Sequence, residues 1–287
     1  MELQRVAVIG AGTMGHGIAY VAALSGRDVM LVDADAPALE RGLGRIRGAF
    51  DKAIERGKAT TEQRDAALAR LRGTPSVGEA AADADLIVEA VPERMELKRR
   101  LFAEVEAAAK PDAMLASNTS SLSITEIAGA LVRPGRFIGL HFFNPVPVMK
   151  LLEIVRGERT SDATVASARG FADSLGKTPI VVRDSPGFAT SRLGIVLGLE
   201  AIRMLEQGVA SAEDIDRAME LGYNHPMGPL RLTDVVGLDV RLAIADHLHA
   251  TLGDDTYRAP ELLRRLVAEG KLGKKSGQGF HSWENER

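Results

Sequence analysis

Residues 141–155 read HFFNPVPVMKLLEIV and hold two chemically demanding side chains twelve positions apart. His141 closes the apolar approach RFIGL, and Glu153 sits inside the apolar run LLEIV. A carboxylate between leucines and an isoleucine is costly to bury unless a partner satisfies it. A carboxylate that accepts from one imidazole nitrogen fixes the tautomer and leaves the other nitrogen to act as a base. It also stabilises the imidazolium that forms. Strand alternation places Leu151, Glu153 and Val155 on one face, with Leu152 and Ile154 on the other. Pro145 and Pro147 forbid helix and force an extended turn, so two strands joined there can set His141 and Glu153 side by side. The segment alone also allows a blander arrangement: a core histidine satisfied locally, and a solvent-facing glutamate on an edge strand.

A second constellation opens the chain. VAVIGAGTMGHGIAYVAALSGRDVMLVDAD contains Gly10-x-Gly12-x-x-Gly15 between a strand and a helix. Gly10 permits the tight turn, Gly12 lets a pyrophosphate approach the backbone, and Gly15 allows close packing of helix on strand. The helix N-terminus faces the phosphates. Asp33 ends the next strand about 20 residues on, where a carboxylate accepts from the adenosine ribose hydroxyls. No arginine stands in Asp33-Ala34-Asp35 to hold a 2′-phosphate, so NAD is favoured over NADP. A glycine-rich turn that served packing alone would not explain Asp33.

The elements that must position these residues follow from the patterning. The first ~180 residues alternate short β-rich runs with longer helical patterns, which predicts a parallel α/β sheet. Strands are expected at 5–10, 29–33, 85–90, 113–117, 136–142, 150–155 and 178–182. Helices are expected near 13–25, 36–57, 61–72, 94–109 and 162–175. The strand carrying Glu153 is expected to run antiparallel to the one before it, because NPVPVM is too short for a parallel crossover. After DSPGF the strand pattern stops, and helical runs follow near 188–207, 211–221, 238–251 and 260–268. These place a dinucleotide-binding domain at 1–183 and a helical C-terminal domain at 184–287.

The bulk properties narrow the function classes. A chain of 287 residues exceeds what one core usually organises. With 45% hydrophobic and 26% charged residues it has the composition of a soluble globular protein. It has no cysteine, which removes disulfides, thiol catalysis and cysteine-ligated metal, and fits a reducing cytoplasm. No signal peptide is expected at the N-terminus, and no run reaches the ~20 apolar residues of a membrane helix. A net charge of −3 argues against nucleic acid as a partner.

Taken together, IGAGTMGHGIA, VEAVPERMELK, ASNTSSLSITEIA, GLHFFNPVPVMKLLEIV, DSPGFATSRL, HPMGPLRLTDVVGLD and GKKSGQGF identify a resemblance to the 3-hydroxyacyl-CoA dehydrogenase family over essentially the whole chain. The resemblance implies a Rossmann-type NAD domain followed by a helical domain that usually makes a homodimer. It implies NAD-dependent oxidation of a 3-hydroxyacyl-CoA to the 3-ketoacyl-CoA, or the reverse. His141 would be the base and Glu153 its orienting partner. Ser120 would hydrogen-bond the C3 oxygen, and Asn144 would lie near substrate and nicotinamide. Glu93, Lys98, Asn118 and Lys275 would approach the cofactor, with Glu93 and Lys98 at its ribose. No metal is implied. One position departs from the family's pattern: Ser191 precedes Arg192 where an asparagine is usual. A hydroxyl there replaces an amide's paired donor and acceptor, which bears on how the acyl thioester is placed.

Coenzyme A carries several phosphate charges and needs a local basic surface on a net-acidic protein. In APALERGLGRIRGAFDKAIERGK, Arg41, Arg45, Lys52 and Arg56 fall within one ~60° arc at 100° per residue. Charge patterning alone reads this as a solvated helix face. The resemblance makes it the coenzyme A surface, with Arg56 the substrate-binding position. The other histidines read as structural: His16 as a packing neighbour in the nucleotide helix, His225 in a turn, His247 and His249 on different helix faces, and His281 in the C-terminal tail. Two other classes fit parts of the pattern. A dehydrogenase of a free β-hydroxy acid would rely on a lysine base and need neither the His–Glu pair nor the basic helix. A non-catalytic NAD-binding protein could share the scaffold.

Overall fold

The computed structural model of the chain describes residues 3–284. Its chain divides into two compact units, one ending at Ser185 and the next beginning at Pro186.

The first unit is built on one eight-stranded sheet. Its strands are β1 (Arg5–Ile9), β2 (Asp28–Val32), β3 (Leu71–Thr74), β4 (Leu86–Glu89), β5 (Met114–Ser117), β6 (Phe137–Phe142), β7 (Leu151–Arg156) and β8 (Thr178–Arg183). The order is β3-β2-β1-β4-β5-β6-β7-β8. All neighbours are parallel except β6 and β7, which pair antiparallel as the short link between them requires. Strands buried on both faces read as continuous apolar runs, and every residue of β4, β5 and β6 is buried. The covering helices include α1 (Thr13–Leu24), α2 (Ala36–Glu55), α3 (Thr61–Ala69), α4 (Val77–Ala82), α5 (Met95–Ala108), α6 (Ile124–Ala128) and α7 (Asp162–Ser174). The core runs from Val6, Val8 and Leu31 through Phe50 and Ile138 to Leu152 and Phe171.

The helix expected over 61–72 ends at Ala69. Residues 71–74 instead add a strand to β2, in register Val29–Leu71 to Val32–Thr74. That strand lies at the sheet's edge with two exposed residues, Arg72 and Gly73, so it carries no apolar run to betray it. The short helices α4 and α6 also went unpredicted; each is capped by a serine, Ser76 or Ser123, that accepts from the backbone three residues on.

The second unit is helical among its described residues: α8 (Thr190–Glu206), α9 (Ala212–Tyr223), α10 (Pro229–Val236), α11 (Leu238–Leu252) and α12 (Glu261–Ala268). Helix α10 was hidden behind the turn signals HPMGP; its proline stands in the first helical turn, where the missing N–H has no cost. Its core gathers Ile195, Leu199, Ile202, Leu230, Leu238 and Leu248. Among the described residues, no helix is long and apolar enough to cross a membrane.

Candidate active site

The reversal of strand order falls between β1 and β4, where open α/β sheets bind ligands beyond the carboxyl ends of their strands. The fingerprint glycines sit there. Gly10 has φ +103°, and a Cβ on it would meet the Ala90 carbonyl oxygen at 2.6 Å. A Cβ on Gly15 would lie 1.7 Å from the Gly10 oxygen, so only glycine lets α1 start this close to the turn. Gly12 faces open space, with nothing within 4 Å of a Cβ, and leads into the N-terminus of α1. Asp33 follows β2. One of its oxygens accepts from the Ala11 N–H at 3.0 Å and the other from the Asp35 N–H at 3.1 Å. The carboxylate expected at the ribose thus also braces the glycine turn. His16 does more than pack: its Nδ1 lies 2.7 Å from the Gly12 carbonyl oxygen. The glycine cradle, the helix terminus and Asp33 fit a bound dinucleotide.

The loop after β4 supplies a second cluster. Glu93 accepts through Oε1 from the Ser120 N–H at 2.9 Å and from the Ser121 N–H at 3.3 Å. The Thr119 and Ser121 hydroxyls reach the same oxygen, while the Lys98 ammonium stands 3.1 Å from Oε2. Burial pushes the Glu93 carboxyl up, but Lys98, the Thr119 hydroxyl and the Ser120 N–H outweigh it and hold the group below its ordinary value. Glu93 therefore shapes the SNTSS turn that presents Ser120. Asn118, at the head of this turn, accepts from the Phe142 N–H at 2.9 Å through its amide oxygen and so ties the end of β5 to β6. Glu89, which sequence reasoning missed, is fully buried and accepts from Lys98 Nζ at 2.6 Å, Ser117 Oγ at 2.6 Å and the Val91 N–H at 2.7 Å. Its signal was present: Glu89 ends the apolar run LIVE just as Glu153 interrupts LLEIV.

His141 and Glu153 are directly opposed in the β6–β7 register. His141 Nδ1 lies 2.9 Å from Glu153 Oε2; Glu153 is fully buried and His141 nearly so. The Phe143 ring packs on the imidazole, with centroids 4.4 Å apart. The pair stands at the C-terminal end of β6, on the same sheet edge as the glycine turn. Asn144 follows in an exposed position and precedes a cis bond to Pro145. The turn closes through N–H groups of Val148 and Met149 donating to the Pro145 carbonyl. Lys177, also missed, reaches into this turn: its Nζ donates to the Val146 carbonyl and to the Met149 carbonyl at 2.6 Å. Burial lowers the Lys177 pKa.

A cleft of about 740 Å³ opens between α1, the end of α2 and the 147–150 turn. Lys52, Arg56, Lys58 and Lys150 line it, with the exposed Val148 and Met149 beside them. Two of the four residues placed on the basic arc, Lys52 and Arg56, face this cleft. Arg41 turns instead to Asp35 at 3.4 Å, and Arg45 is not among the lining residues.

In the helical unit, Ser191 lies in the first turn of α8. Lys275 is held by Asp239, with Nζ 2.5 and 2.6 Å from its two oxygens. His281, read as a tail residue, is half-buried against Asp216 with Nε2 2.7 Å from Oδ2.

Known proteins are similar to this chain along nearly its whole length. A family model described as 3-hydroxyacyl-CoA dehydrogenase, NAD binding domain, matches residues 5–185, and one for the family's C-terminal domain matches 187–283. A probable 3-hydroxybutyryl-CoA dehydrogenase of Deinococcus radiodurans is 48% identical over 276 residues, covering 96% of this chain and 99% of that one. A 3-hydroxybutyryl-CoA dehydrogenase of Bradyrhizobium diazoefficiens is 44% identical, covering 99% and 97%. Among solved structures, (S)-3-hydroxybutyryl-CoA dehydrogenase from Ralstonia eutropha superposes with a TM-score of 0.94 at 41% identity, covering 98% of this chain and 99% of that one.

Proposed function

This chain belongs to the 3-hydroxyacyl-CoA dehydrogenase family, and from that premise we propose that it interconverts short (S)-3-hydroxyacyl-CoA and 3-ketoacyl-CoA thioesters through a proton relay at His141 and Glu153. The observation that carries the reading is the buried 2.9 Å His141–Glu153 contact on the sheet edge that also holds the dinucleotide turn.

Gly10, Gly12, Gly15 and Asp33 hold the adenosine and pyrophosphate half of NAD, and Glu93 with Lys98 serves the second half. NAD, when bound, supplies the hydride acceptor at C4 of its nicotinamide. The chain's own task is the proton. Glu153 holds Nδ1 of the imidazole, so Nε2 removes the C3 hydroxyl proton in oxidation and returns it in reduction. Ser120, on the turn shaped by Glu93, positions the C3 oxygen. Asn144 and Ser191 lie in segments that would border the acyl thioester. Such acid–base help is worth ~10²–10⁴-fold, and fixed geometry supplies much of the rest.

The basic cleft favours a coenzyme A thioester over a free hydroxy acid. Lys52, Arg56, Lys58 and Lys150 provide cations for phosphates on a chain of net charge −3. As a metabolic enzyme of this family it would act in the cytoplasm as a homodimer. The exposed Leu193, Leu221 and Tyr223 of the helical unit support such self-association. Oxidation of NADH should be followed with acetoacetyl-CoA and with free acetoacetate. Turnover on the thioester alone is expected. Turnover on the free acid alone, or on neither, would reject the reading, and a chain-length series would then rank the acyl groups.

A further inference from the structure

Glu89 stands in a place that burial alone makes costly for a carboxylate. Its carboxylate is completely enclosed and satisfied on three sides, by the Lys98 ammonium, the Ser117 hydroxyl and the Val91 N–H. Lys98 is equally enclosed and is shared with Glu93, whose side chain is about a third exposed. Two carboxylates on one ammonium leave the group with one net negative charge, and the exposed member carries it toward the sheet edge.

The location gives that charge a target. Glu89 pairs with Ile9 in the β1–β4 register, and Gly10 abuts the Ala90 carbonyl. The group therefore stands at the switch point on the β4 side of the glycine turn, across from Asp33 after β2, the side that the second half of a dinucleotide would meet. The nicotinamide ring is cationic in NAD+ and neutral in NADH. A fixed negative charge beside it lowers the energy of the oxidised form and leaves the reduced form nearly untouched.

We propose that Glu89 is a positioning and charge-setting residue that, through Lys98 and Glu93, biases the cofactor site toward NAD+ over NADH. The proposal rests on the reading of this edge as an NAD site and adds which oxidation state it prefers and why. Lys98 paired with Glu93 alone would be neutral; Glu89 supplies the surplus. The same chain holds the Ser120 turn, because the Glu93 oxygen that accepts from Ser120 and Ser121 belongs to a carboxylate anchored from behind by Lys98.

The test compares dissociation constants for NAD+ and NADH, by nucleotide and intrinsic fluorescence, with no acyl-CoA present. In Glu89→Gln, which keeps the shape and whose amide oxygen can still accept from Lys98 and Val91 while its NH2 donates to the Ser117 hydroxyl, the ratio Kd(NAD+)/Kd(NADH) should rise about fivefold, the scale of one partly screened charge. In the double variant E89Q/K98M the net charge returns to that of the native group, and the ratio should return with it even if both affinities weaken. Ser117→Ala removes a hydrogen bond to Glu89 without altering charge and should leave the ratio unchanged. Proportional weakening of both forms in Glu89→Gln would show a merely structural role and overturn the proposal. A shifted ratio in the double variant would overturn it as well, and that arm stands even if the single variant fails to fold. Failure of the native chain to bind either form would reject the NAD reading itself.

Discussion

His141 and Glu153 meet because two opposed strand positions bring an imidazole and a carboxylate to 2.9 Å where water does not compete. His141→Gln should lower kcat by ~10²–10⁴-fold while the dissociation constant for NADH stays near that of the native chain. Steady-state kinetics with a parallel fluorescence titration would check it, and near-normal turnover would reject His141 as the base. Glu153 was legible because it interrupts an apolar run and a partner lay one turn away in sequence. Glu89 posed the same problem nine residues before Lys98, yet the lysine gave no sign of facing inward. A helical lysine usually snorkels to solvent, and only the packing of α5 against the sheet turns this one in.

At the scale of elements, the turn between β6 and β7 is the part that the fold must hold open. Its carbonyls at Val146 and Met149 point at a single buried ammonium, Lys177, at the start of β8. Lys177→Met leaves two acceptors without that donor and should destabilise the protein by about 2–3 kcal/mol. Because residues 147–150 also line the basic cleft, KM for acetoacetyl-CoA should rise severalfold while KM for NADH moves little. Urea unfolding and initial-rate kinetics measure the two effects; equal rises in both KM values would deny the turn its role in the thioester site. The antiparallel β7 was predictable from loop length alone. The edge strand β3 was not, because its pairing with β2 is a tertiary event written in no local period.

Across the whole molecule, the helical unit closes on itself through contacts between distant residues. Asp216 of α9 accepts from the N–H groups of Leu230 and Arg231 and meets His281. Asp234 of α10 accepts from the N–H groups of Phe280 and His281 and from Trp283 Nε1. The hydrogen bond to Asp216 raises the His281 pKa, burial opposes it, and the charges of Asp216, Asp234 and Glu213 add to the rise. A folded-state pKa above the unfolded value means that the protonated pair stabilises the fold below about pH 6.5, and that this contribution fades as pH climbs through the raised value. His281→Phe should therefore cost more stability at pH 6 than at pH 9. Urea unfolding at both values tests this, and equal losses would show that packing alone is at stake.

The sequence by itself determined whatever depends on neighbours along the chain. The glycine turn with Asp33 and the antiparallel return after NPVPVM are set by spacing, backbone freedom and burial within a few residues. Alternation and the short turn made a pairing of His141 with Glu153 possible, and the β6–β7 register decided it over a solvent-facing glutamate. Tertiary structure decided the rest: the inward lysines Lys98 and Lys177, the buried Glu89, the Asp216–His281 lock, and which half of the basic arc faces a cleft. Each depends on where a long polar side chain points. A charge that is ordinary at the surface becomes part of the site only when an opposite charge or a carbonyl from far along the chain removes its reason to stay in water.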